Sequence, residues 1–233
     1  MKKWFRPMLV AAAFGLFAGV ISVNDAVGQD KIRQILNRMD EHNKALTTLR
    51  AKVTMVKTNA QLGGDSDTTI GTAIYAKRPG KDALVRIDWQ KPEESLAVVD
   101  GRYIMYRPRL EIAYTGLVKN ATKGEAKGNS ALAFMNMSKA QLNANYTVRL
   151  LGESVALSSG VRTWHLEMTP ISKTSYKTAE LWVDPDGMPQ QTKIIEQNND
   201  TTTVLLTNLE KNVNLKTSNF QISLPKGTKV QKS

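Results

Sequence analysis

The sequence predicts a mainly β chain with helices, an α+β fold carrying about ten to eleven antiparallel strands. Three observations lead there. After Lys52, short apolar or alternating runs recur along the chain, divided by turn signals such as Gly63-Gly64, Asp100-Gly101 and Asp186-Gly187. Before Lys52 lies one long helical periodicity. The stretch from Pro92 to Tyr114 reads as a hairpin apolar on both faces, which asks for a cover on each side.

Asp30 to Ala51 is predicted as an amphipathic helix. Ile32, Ile35, Leu36, Met39, Leu46 and Leu49 recur at helical spacing, with Lys31, Arg33, Arg38, Glu41 and Lys44 on the other face. Asp30 suits the N-cap. His42 falls among polar residues and reads as a surface histidine. Such a helix must lie on something apolar, and the later sheet is the natural support.

Strands follow. Lys52 to Ala76 is a hairpin turning at Gly63–Ser66, and Leu84 to Trp89 is the next strand. Leu96–Val99 and Tyr103–Tyr106 then form the doubly apolar hairpin around Asp100-Gly101, where glycine accepts positive φ. Arg107-Pro108 stops it. One face suits the helix; the other suits a lipid-holding cavity. Either Leu96, Val98, Ile104 and Tyr106 or their neighbours line that cavity, because alternation alone leaves the phase open.

Thr115 to Asn129 reads as a mobile basic loop with Gly116, Gly124, Gly128 and three lysines. Two short helices are expected next, Ser130 to Met137 and Ser138 to Asn143, each capped by its serine. The first is greasy, with Leu132, Phe134, Met135 and Met137. Methionine-rich surfaces adapt to varied apolar shapes, so this helix fits either core or a ligand wall. Strands resume at Tyr146–Leu151, Val161–Thr169, Tyr176–Asp184, Gln190–Gln197 and Thr201–Leu209. His165 lies on the polar, solvated side of its strand. A closing strand carries Phe220, Ile222 and Leu224, and the basic tail from Thr228 frays.

The chain has 233 residues, 41% hydrophobic content, no cysteine and a net charge of +11. This suffices for one domain with a real core. It excludes disulfides, thiolate metal sites and an acylated cysteine anchor. Residues 1–28 read as a signal peptide: basic MKKWFRP, an apolar run from Met8 to Ile21, and a small-x-small site at Ala26-Val27-Gly28. The apolar run is short for a membrane span. The mature chain is then 29–233, a single exported, periplasmic domain beginning near Gln29. Export makes nucleic acid an unsuitable partner for the basic surface.

No catalytic constellation stands out. Glu93-Glu94 and the pair Asp184 and Asp186 fall in turns, and two distant histidines make no zinc or triad site. No phosphate loop or nucleophile elbow is present, and Asp184-Pro185-Asp186-Gly187 lacks the later ligands of a calcium loop. The expectation is a binder, not an enzyme, with no metal and no cofactor.

Lys77-Arg78-Pro79, Trp89-x-x-Pro92, Asp100-Gly101 and Tyr106-x-Pro108-x-Leu110-Glu111 occur here in the order of motifs of the periplasmic outer-membrane lipoprotein carrier family, LolA. Trp164-x-Leu166-x-Met168-x-Pro170, Asp186-Gly187-x-Pro189 and Phe220-x-Ile222-x-Leu224-Pro225-x-Gly227 fit its later half more loosely. The chain thus resembles that family over about residues 31–230, with 115–145 largely unalignable. It departs at Ile104-Met105, where the family carries a tryptophan, and at Ile112, where a glutamine is usual.

The resemblance implies an open antiparallel half-barrel closed by a helical lid over an apolar cavity. It implies carriage of acylated lipoproteins from an inner-membrane ABC-type releasing complex to an outer-membrane acceptor, by a monomer. Arg78 matches the arginine that projects into the family's cavity and bonds the lid. The residues expected to meet ligand are Arg78, Ile87, Trp89, Leu96, Val98, Ile104, Tyr106, Leu132, Phe134 and Met135. Related alternatives are a carrier of another lipid, or a lipid-sensing regulatory module of the same fold that binds a protein partner.

Overall fold

The computed structural model describes residues 23–118, 137–156 and 160–232. Residues 1–22, most of the basic loop and the expected helix of Leu132, Phe134 and Met135 lie outside the described residues.

A helix, α1 (Val23–Ala45), leads into β1 (Thr48–Thr58). It begins upstream of Asp30, so Asp30 lies inside the helix rather than at its cap. It also stops at Ala45, short of the predicted end at Ala51. Leu46 and Leu49 fit a helical stripe, but Leu49, Ala51, Val53 and Met55 also alternate, and all four are buried. Pairing on both sides of β1, with Leu49 opposite Tyr75 and Lys211, decides for the strand.

The hairpin arms are β2 (Ser66–Ala76), β3 (Leu84–Gln90), β4 (Glu93–Val99) and β5 (Arg102–Arg107). A 3-10 turn at Pro108–Leu110 leads to β6 (Ile112–Leu117), a strand the sequence reading did not foresee. The short helix α2 (Lys139–Asn145) has the expected cap: the Gln141 amide donates to the Ser138 hydroxyl at 3.2 Å, in a capping box. The second half is β7 (Tyr146–Val155), β8 (Arg162–Pro170), β9 (Tyr176–Val183), β10 (Pro189–Glu196) and β11 (Thr201–Lys211).

The closing stretch differs from expectation. Asn219 accepts the Lys216 amide at 2.7 Å through its side chain and bends Thr217–Phe220 into a 3-10 turn. Phe220 is fully buried, while Ile222 and Leu224 form no strand. The tail does not fray: Lys229–Lys232 is β12, paired in parallel with β6. It has no apolar face to announce it, and the open edge of β6 supplies its partner.

Among the described residues these make one open sheet of twelve strands, in the order β12-β6-β5-β4-β3-β2-β1-β11-β10-β9-β8-β7. It is an open half-barrel, with one strand more than the upper expectation. The main core lies on its inner face, where α1 contributes Ile32, Ile35, Leu36 and Met39. A smaller core lies on the outer face. There residues 212–228 run as a strap, and Phe220 packs on Ala76 and Leu84, with Ile74, Val99 and Leu215 alongside. Arg86 fastens the strap by donating to the Asn219 and Gln221 carbonyls at 3.2 and 2.7 Å. The outer cover of the hairpin is therefore this strap, not α1.

Phe220 is the plug of the strap. Phe220→Ala should lower stability by about 3–5 kcal/mol, as expected for emptying a buried aromatic site. Urea unfolding of the two proteins checks this; a loss under half that size would mean that the strap is held by its backbone contacts alone.

Candidate functional site

The inner face is built by register. Directly paired residues of antiparallel strands share a face. Val53 faces Gly71 and Leu206; Ala73 faces Ile87; Ile87 faces Leu96; Leu96 faces Met105; Met105 faces Tyr114. On the other side Met55 faces Val204, Val204 faces Thr192, Thr192 faces Leu181, Leu181 faces Leu166 and Leu166 faces Leu150. One apolar surface thus runs through every strand from β6 to β7. Gly71 makes room for Trp89 on it, since a Cβ there would strike the Asp88 carbonyl and the indole.

This register sets the phase of the hairpin. Ile87, Trp89, Leu96 and Val98 come together on the inner face, joined by Tyr103, Met105 and Tyr114. Ile104 pairs with Ala97 and Tyr106 with Ser95, on the outer face, so the structure does not bring those two to the same surface. The missed residues were within reach. A two-residue Asp100-Gly101 turn forces Val99 opposite Arg102, so Val98 must face Tyr103.

Among the described residues Arg78 is held by the β2–β3 loop and the hairpin tip. Its Nε and Nη2 donate to the Asp82 carbonyl at 2.8 and 2.6 Å, and Nη1 lies 2.9 Å from an Asp100 carboxylate oxygen. It ties the β2–β3 loop to the tip of the β4–β5 hairpin. The cation that does lie on the inner face of β3–β6 is Arg107, at the opposite end. Glu94 accepts from its Nε at 2.7 Å, and its guanidinium carbon lies 5.4 Å from the Tyr114 ring centre. The Glu94 hydrogen bond, strengthened by charge, holds Arg107 firmly protonated.

A polar pocket of about 560 Å³ opens at the tips of β1, β2, β10 and β11, between Lys57, Asp65, Asp67, Glu196 and Asp200. Its charged lining suits no acyl chain. On the outer face His165 is not solvated as expected. It stacks on Trp182 with ring centres 4.1 Å apart, and its Nε2 lies 2.8 Å from a Glu180 oxygen. That hydrogen bond keeps the Glu180 carboxyl below the usual range.

The family model of the outer membrane lipoprotein carrier protein LolA matches residues 53–223. The chain belongs to the LolA family. The matched stretch runs from β1 to the strap, leaving α1 and β12 outside it. No curated protein matches the chain in sequence. Among solved structures, an uncharacterized conserved protein from Thermus thermophilus superposes with a TM-score of 0.55 at 13% identity, covering 87% of this chain and 99% of that one. MucB superposes with a TM-score of 0.53 at 18% identity, covering 85% and 63%. The Pseudomonas aeruginosa MucA/MucB complex gives 0.50 at 17%, covering 83% and 61%. At such identities these likenesses establish the fold.

In this LolA-family chain α1 packs over the inner face, and one turn is prominent among the contacts that seat it. Asp184, itself buried, accepts the Asp186 and Met188 amides at 2.9 and 2.8 Å and the Gln190 side-chain amide at 3.0 Å. This turn presents Gly187, with φ +87°, to the helix, where a Cβ would strike the Arg38 carbonyl. Arg38 returns a hydrogen bond to the Pro185 carbonyl at 3.0 Å, and Lys77 donates to the Asn43 carbonyl at 2.8 Å.

His42 is half-buried in this interface rather than on the surface, and its buried Nε2 has no hydrogen-bond partner among the described residues. Burial first, then Lys211, pushes its pKa down against the opposing pull of Asp184 and Asp186. The folded protein thus takes up the proton less readily than the unfolded chain. This site costs nothing well above the ordinary imidazole value of about 6.5 and destabilises progressively below it. Urea midpoints of the wild type and His42→Leu should therefore diverge in favour of the variant as pH falls through that window, and a constant difference would refute the assignment.

Proposed function

We propose that this chain is a periplasmic carrier that holds acyl chains of lipoproteins against the inner face of its sheet and moves them from the inner to the outer membrane. It would receive cargo from an ABC-type releasing complex and surrender it to an outer-membrane acceptor. One observation carries the reading: an apolar surface continuous from β6 to β7, with α1 packed over it. Membership of the LolA family supports it.

Burying an acyl chain yields about 0.8 kcal/mol per CH₂, so a long chain on an open trough would bind too tightly to release. Here Ile87, Leu96 and Met105 are already buried with the helix side chains in one core. Cargo must displace that packing, and the lost packing offsets part of the gain. Reclosure then helps expel the cargo. On this account Arg78 holds the hairpin tip through Asp82 and Asp100. Arg78→Leu should carry cargo as the wild type does.

The cleaved leader belongs to the same reading. Exported protein should have an intact mass beginning near Gln29. Native mass spectrometry of that material should show co-purified acylated cargo. Val98→Glu, on the inner face, should lose the cargo, and Ile104→Glu, on the outer face, should keep it. Equal retention by both would defeat the carrier reading. An empty protein with a stable protein partner would favour a regulatory module instead, in line with the MucA/MucB complex of its structural neighbour.

A further inference from the structure

Three groups of cations border the inner face, and their partners differ. Arg78 lies against Asp100, and Arg107 against Glu94. Lys31 and Arg38, two turns apart on one face of α1, have no carboxylate partner among the described residues. Both instead lie over one indole: the Lys31 ammonium is 5.1 Å and the Arg38 guanidinium carbon 5.0 Å from the Trp164 ring centre. Trp164 stands opposite Val183 on β8, in line with Leu166 and Met168, so its ring is the margin of the inner face.

Beside the indole is an open pocket of about 240 Å³ lined by Trp164, Thr163, Pro185, Glu153 and Arg162. Arg162 and Glu153 form a 3.1 Å pair whose side chains are 81% and 60% exposed. Such exposed pairs are worth little, so Arg162 can turn to another anion. Against the single Glu153 carboxylate that lines the same pocket, the two cations sharing one ring and Arg162 alongside leave an excess of positive charge that a doubly charged oxyanion completes.

We propose that Lys31, Arg38 and Arg162 around Trp164 form a binding site for a phosphate group, placed where the head of an amphiphile would emerge if its tails lie on the inner face. The tail half of this statement rests on the carrier reading; the phosphate site does not. The indole is the floor, the Lys31 ammonium and the free edge of the Arg38 guanidinium supply donors, and Arg162 closes the pocket. A neutral or zwitterionic head would leave the charges uncompensated.

The site is tested on the exported protein by tryptophan fluorescence and calorimetry with three probes: inorganic phosphate, glycerol phosphate and a dioctanoyl phosphatidate. Saturable binding of inorganic phosphate is expected, with Lys31→Met/Arg38→Met weakening it by roughly tenfold or more, the loss of one to two charge-assisted bonds. Trp164→Phe should silence the fluorescence change. Arg149→Met, which removes a cation of the outer face paired with Glu167, should leave binding as it is. No saturable binding, or an equal loss in Arg149→Met, would overturn the site. Phosphatidate binding tighter than glycerol phosphate identifies a lipid head as the source, and equal affinities identify a soluble phosphate. A neutral fluorescent acyl probe reports the tail surface separately. If it binds while no phosphate probe does, the phosphate site falls and the carrier reading stands; the reverse result sinks the carrier reading alone.

Discussion

The pairing of β1 with β11 is the constraint on which the rest depends. β1 meets its local partner β2 on one edge and, on the other, a strand far later in the chain, with Thr58 beside Thr201 and Leu49 beside Lys211. Without that long-range ladder the molecule is two separate meanders, β1–β6 and β7–β11, each with one greasy side. With it, Val53 and Met55 lie beside Leu206 and Val204, and the two greasy sides become one surface. The cost of closing so long a loop grows only slowly with its length. The register shift between Arg50 and Lys52 lets the two strands stay paired to Lys211 despite their twist.

Two devices keep that sheet from opening at its margins. On the outer face the strap from β11 crosses β2, β3 and β4 and ends as β12 on the edge of β6, so the chain's own tail covers an edge that would otherwise recruit another strand. On the inner face the Asp184 turn fixes the position of α1 through Gly187. Asp184 could do neither job as a solvated loop carboxylate. It is buried, and three donors converge on it. A turn that the sequence shows as Asp-Pro-Asp-Gly is therefore a bearing for the helix.

Local chemistry made most of the elements legible. The turns at Gly63-Gly64, Asp100-Gly101 and Asp186-Gly187 and the cap at Ser138 stand where glycine, aspartate and serine placed them. What was hidden depended on distant partners. Leu49 satisfies both a helix and a strand period, and only Lys211 and Tyr75 beside it decide between them. β12 is Lys-Val-Gln-Lys, exposed at every position, and exists because β6 was left with a free edge. Phe220, Ile222 and Leu224 alternate like a strand, but Asn219 competes for the backbone first. His42 reads as a surface residue among polar neighbours, yet its Nε2 is buried; Arg78 matches the family's arginine by motif, and among the described residues it is bound to Asp82 and Asp100.

The inner surface raises a problem of specificity that apolar packing cannot solve alone. Burial is non-directional, so Ile87, Leu96, Met105 and Leu166 would accept any flexible hydrocarbon and fix neither its direction nor its head. Direction requires charge at one margin and its neutralisation at the others. Glu94 neutralises Arg107 at the far end of β5, and Asp100 neutralises Arg78 beside the hairpin tip. The helix cations over Trp164 are left without such a partner among the described carboxylates. The same two residues sit on the cover itself, one of them bonded to the Pro185 carbonyl that seats it. On the carrier reading, an anion bound there would act on the element that has to move for tails to enter. Recognition of the head would then bear on the cover through Arg38, whose one guanidinium would hold the Pro185 carbonyl on one edge and the anion on the free edge.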